Sequence, residues 1–258
     1  GLTVVAAREA GATGAAGGAG LTFGLATLAA GFVALIAFVA LEARLGRRAM
    51  MPLALFGTAS FVGVSILTLG LYAALGGMVV LLPYLLIRSG GYSAAAAGAA
   101  LLPLPIAMGL GSGAAGRLAE RVGARVLLTL GPIVVAAGFA LFLRIGAGPI
   151  DYASTLLPAL AVIACGLTLS VAPLTAAVMG AVDAAHVGSA SGVNNAIARV
   201  AGLLATALLG FVLAGDASSP AFIGRFHGAA IAGALLALAA GIAAFALVRD
   251  SGAKRKVS

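Results

Sequence analysis

The charges of this chain fall so far apart that the gaps between them dictate what it can fold into. Glu9 to Glu42 encloses 32 uncharged positions, Arg48 to Arg88 39, Arg88 to Arg117 28, and Arg125 to Arg144 18. Asp151 to Asp183 encloses 31, Asp183 to Asp216 32 broken only by Arg199, and Arg225 to Arg249 23. A helix crossing about 30 Å of hydrocarbon needs about 20 mostly apolar residues, so each gap has room for one crossing. Unpaired backbone in lipid is too costly for open strands, so the crossings are expected to be helical. Composition agrees: of 258 residues 62% are hydrophobic and 9% charged, against about 45–50% and about 25% in soluble domains.

The expected fold is an all-α membrane protein with seven transmembrane helices, at 21–41, 61–86, 94–115, 126–143, 155–179, 190–213 and 229–248. Residues 1–19, rich in Gly, read as the tail of a preceding helix and an external linker; 20–248 as the seven-helix bundle; 249–258 as a basic tail. The loops leave no room for a soluble domain.

Sorted alternately, the loops divide the bases unequally. Arg44, Arg47, Arg48, Arg117, Arg121, Arg125, Arg249, Lys254, Arg255 and Lys256 fall on one side, and Arg8, Arg88, Arg144 and Arg225 on the other. The richer side is expected to be cytoplasmic, which puts the C-terminus inside and Gly1 outside a multi-pass cell (inner) membrane protein. The net charge of +8 is then topology and not a nucleic-acid footprint. The N-terminus carries neither an initiator Met nor a signal peptide, so the chain is expected to be part of something longer.

Arg199 stands out. Some nine residues into its expected helix, it lies about 14 Å deep, where an unpaired guanidinium costs about 2.5–3.5 kcal/mol or more. Helical spacing aligns Ser191, Asn195, Arg199, Gly202 and Thr206 in one stripe beside a small-residue face of Asn194, Ala198, Ala201 and Ala205. The polar stripe is the candidate cavity lining. Ser65, Thr68, Tyr72 and Gly76 align on the second helix, and Cys165, Thr168, Ala172, Thr175 and Met179 on the fifth. Membrane hydroxyls also bond backbone or a neighbouring helix, and Arg199 also suits a carbonyl-capped structural role. No expected helix has an Asp or Glu in its core, so Arg199 has no carboxylate partner in its own chain.

Other chemistry is poorly supported. Gly111-Ser112-Gly113-Ala114-Ala115-Gly116 satisfies G-x-G-x-x-G but follows no strand, so with Gly109 it reads as a close helix contact and not a dinucleotide site. His186 and His227 lack companions at metal spacing, and no nucleophile arrangement occurs; the expectation is no enzyme, no metal and no cofactor. Pro103, Pro105 and Pro173 lie inside expected helices, as hinges or tolerated bends.

Two segments carry a family resemblance. Gly116-Arg117-Leu118-Ala119-Glu120-Arg121-Val122-Gly123-Ala124-Arg125 resembles the cytoplasmic loop signature of the major facilitator superfamily, with Glu120 where the family more often has Asp and Ala124 where a base is common. Ser189-Ala190-Ser191-Gly192-Val193-Asn194-Asn195, followed by Arg199 and Gly202, resembles the fourteen-helix drug:proton antiporter branch near its thirteenth helix. The resemblance implies the C-terminal bundle of a multidrug efflux transporter working by alternating access. It implies amphipathic, often cationic substrates, a switch loop at Gly116, Arg117, Glu120, Arg121, Gly123 and Arg125, and a transport cavity drawing on Ser191, Asn194, Asn195, Arg199, Thr206, Tyr72, Thr168 and Thr175. Coupling protons would enter through an acid in a missing N-terminal helical bundle, with membrane lipid as the remaining partner. A non-transporting membrane scaffold or a degenerate transporter fragment is the alternative.

Overall fold

The computed structural model describes residues 29–31, 33–34, 36–38, 40–42, 44, 53–146, 150–213 and 220–249. Two units divide the chain, Gly1–Leu53 and Ala54–Ser258. In the first, most of the described residues belong to an apolar helix, Ala29–Glu42. The linker at 1–19, much of the expected first helix and the basic tail beyond Arg249 lie outside the described residues.

The second unit is all helix among the described residues: α1 (Ala59–Arg88), α2 (Ala94–Ala99), α3 (Pro103–Val122), α4 (Ala124–Leu141), α5 (Leu157–Gly180), α6 (Val187–Val212) and α7 (Pro220–Leu247). With α2 and α3 forming one span, six helices among the described residues are long and apolar enough to cross a membrane. The chain is an all-α membrane protein.

Several boundaries differ from the sequence reading. The third helix is broken at residues 100–102, where tighter bonds from Leu101 N–H to Gly98 O and from Leu102 N–H to Ala99 O replace the helical ladder; Pro103, which has no N–H to continue that ladder, starts α3 although Leu102 keeps right-handed dihedrals. The expected loop 116–125 is almost wholly helical. Gly116, Arg117, Glu120 and Arg121 ride on the end of α3, and one residue, Gly123 at φ 92°, turns the chain into α4. That left-handed φ suits glycine, which has no Cβ to clash. The seventh helix starts at Pro220, nine residues early, so Arg225 and His227 are helical.

Packing runs α5–α4–α7–α1–α6, with α3 leaning on α5 and α6 returning lightly to α5. Without a hydrophobic drive between helices in lipid, association relies on close backbone approach. Gly131 and Gly166 supply it: a Cβ on Gly131 would sit 2.7 Å from the Gly166 carbonyl oxygen, so only glycine fits this α4–α5 crossing. Phe142 locks the far end of the bundle, edge-on to Phe139 at 6.0 Å and to Phe226 at 6.1 Å.

The two ends of the bundle are stitched separately. At one end Thr58 Oγ1 donates to Ala181 O, the Arg249 N–H donates to Ser60 Oγ, and Arg125 reaches Phe245. At the other Tyr92 donates to Ile150 O, Tyr152 to Ala100 O, and Arg225 to Val212 O.

Candidate functional site

Where α1, α5 and α6 meet, their polar residues enclose a cavity of about 110 Å³. Tyr72 comes from α1, Thr175 with Val171, Leu174 and Val178 from α5, and Ser191, Asn194 and Asn195 from α6. A buried water needs about 10–15 Å³, so the cavity has room for a few waters. Drug-sized pockets run about 300–1,000 Å³, so in this conformation it does not hold a drug. Thr175 and Asn195 are exposed and mark its open side.

One hydrogen bond fixes the α1–α6 wall. Thr68 Oγ1 lies 2.8 Å from Val64 O and 2.6 Å from Asn194 Oδ1. A hydroxyl has one hydrogen and donates to one of these two; with the amide turned over, Asn194 donates to Thr68 while Thr68 donates to Val64. The second arrangement satisfies both oxygens. One turn earlier on α1, Ser65 Oγ is buried without a hydrogen-bond partner. Above the cavity Gly76 meets Gly202: a Cβ on Gly76 would lie 2.8 Å from the Gly202 Cα. The small-residue face read from the sequence therefore packs on α1, with Ala201 fully buried, and Gly202 belongs to it and not to the polar stripe.

The remaining candidates lie elsewhere. Arg199 is the thirteenth residue of the 26-residue α6, about 18 Å along the helix. It is exposed, outside the cavity lining, with no hydrogen bond or ion pair among the described residues. Thr206, two turns on, is exposed and donates 2.9 Å to Gly202 O. Thr168 donates 2.7 Å to Ala164 O and sits in the α3–α5 interface, where its methyl leaves no room for a Cβ on Gly111. Gly111 is thus a packing glycine, whereas Gly109 and Gly116 face open space.

The switch segment separates into different environments. Arg117, Glu120 and Arg121 are exposed at the end of α3, and Glu120 has no ion pair among the described residues. Arg125 instead staples α4 to α7: Nε donates 2.9 Å to Phe245 O, Nη2 donates to the same oxygen, and the guanidinium lies 4.6 Å over the Phe245 ring. This carbonyl is one of the four left unpaired at the end of α7, so Arg125 caps a helix from outside it. Nothing in the spacing of the loop signalled that partner, 120 residues away.

No group of three or more His, Cys, Asp or Glu that could hold a metal occurs among the described residues.

No family model matches the chain. It is 30% identical over 177 residues to the Multidrug resistance protein Stp of Mycobacterium tuberculosis, covering 69% of this chain and 32% of that protein. It is 32% identical over 234 residues to the Puromycin resistance protein pur8 of Streptomyces alboniger, covering 83% of this chain and 44% of that protein. The chain thus spans less than half of the length of these relatives, both of which carry names of drug resistance.

Proposed function

We propose that this chain is the C-terminal half of a proton-coupled efflux transporter for amphipathic small molecules, working by alternating access within the major facilitator superfamily. The observation that carries the reading is the exposed, unpaired Arg199 at the middle of α6, on one face with Asn195 and Thr206. A guanidinium at that depth is tolerated where it meets water, an anion or another polar surface, and an aqueous passage supplies all three. Two further features support it. The spans containing α3 and α6 are the least covered by their own bundle, 11% and 17% buried against 33–50% for the other four, and so offer faces to a second bundle. The relatives over which the chain extends partway are named for drug resistance.

In this mechanism α6 and α1 flank the passage, and Tyr72, Ser191, Asn194 and Asn195 supply neutral donors and acceptors that bind a polar end of the substrate without trapping it. The helix joint at Gly123 and the bases around it lie at the cytoplasmic end, which the C-terminus shares. Glu120, in the last turn of α3, is the one acid in the six spans, too near the surface for a midplane relay. In this reading the coupling carboxylate is assigned to the other bundle.

The test is transport by the full-length protein in vesicles loaded with puromycin or a cationic dye under an imposed pH gradient. Gradient-driven efflux that Arg199→Gln abolishes supports the reading. Absence of any transport supports the scaffold alternative instead, and transport by residues 1–258 alone would refute the division into halves.

A further inference from the structure

α6 and α7 both pack on α1 but barely touch each other. Between them runs an apolar groove of about 160 Å³, floored by Ala74 and Met78 of α1 and walled by Leu208 and Val212 of α6 and Ala232 and Leu236 of α7. Leu208 is 63% and Leu236 43% exposed, so the groove opens sideways, toward the bilayer. On α6 its wall of Ala205, Leu208 and Val212 is turned roughly a quarter turn or more from Asn195 and Arg199 and lies further toward the C-terminal end of the helix, and so is separate from the proposed passage.

The groove ends at a cationic cluster. Val212, in its wall, accepts the Arg225 Nε hydrogen at 3.0 Å, and Arg225 lies one turn before Ala229, another wall residue. Arg225 Nη2 is buried with no hydrogen-bond partner. From Arg225 a stack runs across the helix ends: its guanidinium is 6.0 Å from the Phe222 ring, which lies 5.7 Å from Tyr84, which lies 5.9 Å from the guanidinium of exposed Arg88. Neither arginine has a carboxylate partner among the described residues.

An apolar slot open to hydrocarbon and ending in two unneutralised guanidiniums at the level of the headgroups matches one kind of molecule. We propose that the α6–α7 groove binds an anionic phospholipid, with one acyl chain along the slot and the phosphate held by Arg225 with Arg88 beside it. The groove supplies apolar contact common to all phospholipids; the arginines supply the selection for negative charge. Binding turns the Arg225 guanidinium about its bond to Val212, because Nη2 is enclosed in the structure.

Native mass spectrometry of the full-length protein in detergent, titrated with palmitoyl-oleoyl phosphatidylglycerol, the matching phosphatidylcholine, or glycerol 3-phosphate, tests this. Phosphatidylglycerol should bind at least about fivefold more tightly than phosphatidylcholine, the effect of one base near a bilayer surface. Arg225→Gln should remove that preference while leaving phosphatidylcholine binding unchanged. Ala232→Leu, which fills the exposed slot without entering the core, should weaken both lipids alike. Equal affinity for the two lipids, or a preference that persists in an Arg225→Gln protein melting like the wild type, overturns the proposal. So does glycerol 3-phosphate competing as well as intact lipid, since the groove would then contribute nothing.

Discussion

Replacing Gly76 and Gly77 one at a time by Ala separates backbone propensity from packing at the α1–α6 crossing that holds the polar cavity. Both glycines lie inside α1, so each substitution removes the same helix penalty, about 0.5–1 kcal/mol. Their surroundings differ. A Cβ on Gly77 meets Ala205 Cβ at 3.9 Å and Leu209 Cδ2 at 4.0 Å, ordinary contact. A Cβ on Gly76 meets Gly202 Cα at 2.8 Å, its O at 3.3 Å and its C at 3.5 Å, all backbone atoms that no rotamer change can move. Relief requires α6 to retreat from α1, at an overpacking cost of about 1–3 kcal/mol. Gly77→Ala should therefore be neutral or slightly stabilising, and Gly76→Ala less stable than it by about 1–3 kcal/mol. At about 2–4 °C per kcal/mol for a chain of this size, the two melting temperatures should differ by about 2–12 °C. Circular dichroism melts of both variants in one detergent measure this. Retreat of α6 also stretches the Thr68–Asn194 bond, so Gly76→Ala should impair drug efflux more than Gly77→Ala. Coincident melts, or a Gly76→Ala protein more stable than wild type, would refute the close-approach argument.

Three other outcomes follow from the same geometry. A double-mutant cycle of Thr68→Val and Asn194→Leu should return a coupling of about 0.6 kcal/mol, the average for side-chain bonds between membrane helices; zero coupling in chemical unfolding would remove the bond from the account. Arg125→Gln should cost about 1–2 kcal/mol by uncapping α7, with Arg125→Lys recovering only part because a lysine cannot repeat the two-pronged contact; a neutral Arg125→Gln in thermal melts would contradict this. Asp151 caps the turn before α5, and its bonds from Ser154 and Ala153 hold its carboxyl below the usual 3.8. A depressed carboxylate stabilises the fold above its unfolded value, and that contribution disappears as pH falls through the folded value. Melts between pH 6 and pH 2 should show Asp151→Asn losing less stability on acidification than the wild type.

The helices were legible because charge is expensive in lipid: where arginines and carboxylates stop, a span begins, and that ruler located all six described spans. It misjudged the ends for the same reason. Arg225 and His227 read as borders, yet both lie within α7, where Arg225 donates to Val212 O and the His227 ring nitrogen sits 2.8 Å from Ile145 O. Carbonyls at neighbouring helix ends make such polar groups tolerable, and no local pattern announces them. Helical periodicity correctly grouped Ser191 with Asn195, and Tyr72 with Thr68, because residues three or four apart share a face. Periodicity gives a face but not its neighbour, so Thr168, on the fifth-helix stripe with Thr175, faces α3 while Thr175 lines the cavity. Gly116 to Arg121 looked like a loop through their glycine and charges, but Arg, Leu, Ala and Glu are strong helix formers and one glycine sufficed for the turn.

The central claim is that one face of α6 borders water and the opposite face borders lipid. Single cysteines placed in the full-length protein, with Cys165 changed to Ser, read this directly through labelling by a membrane-impermeant thiosulfonate. Cysteines at Asn195, Arg199 and Thr206 should react, and bound substrate should slow them, whereas cysteines at Val200, Leu204 and Leu208 should stay unlabelled. Equal labelling on both faces, or reaction confined to the Val200–Leu204–Leu208 face, would contradict the account.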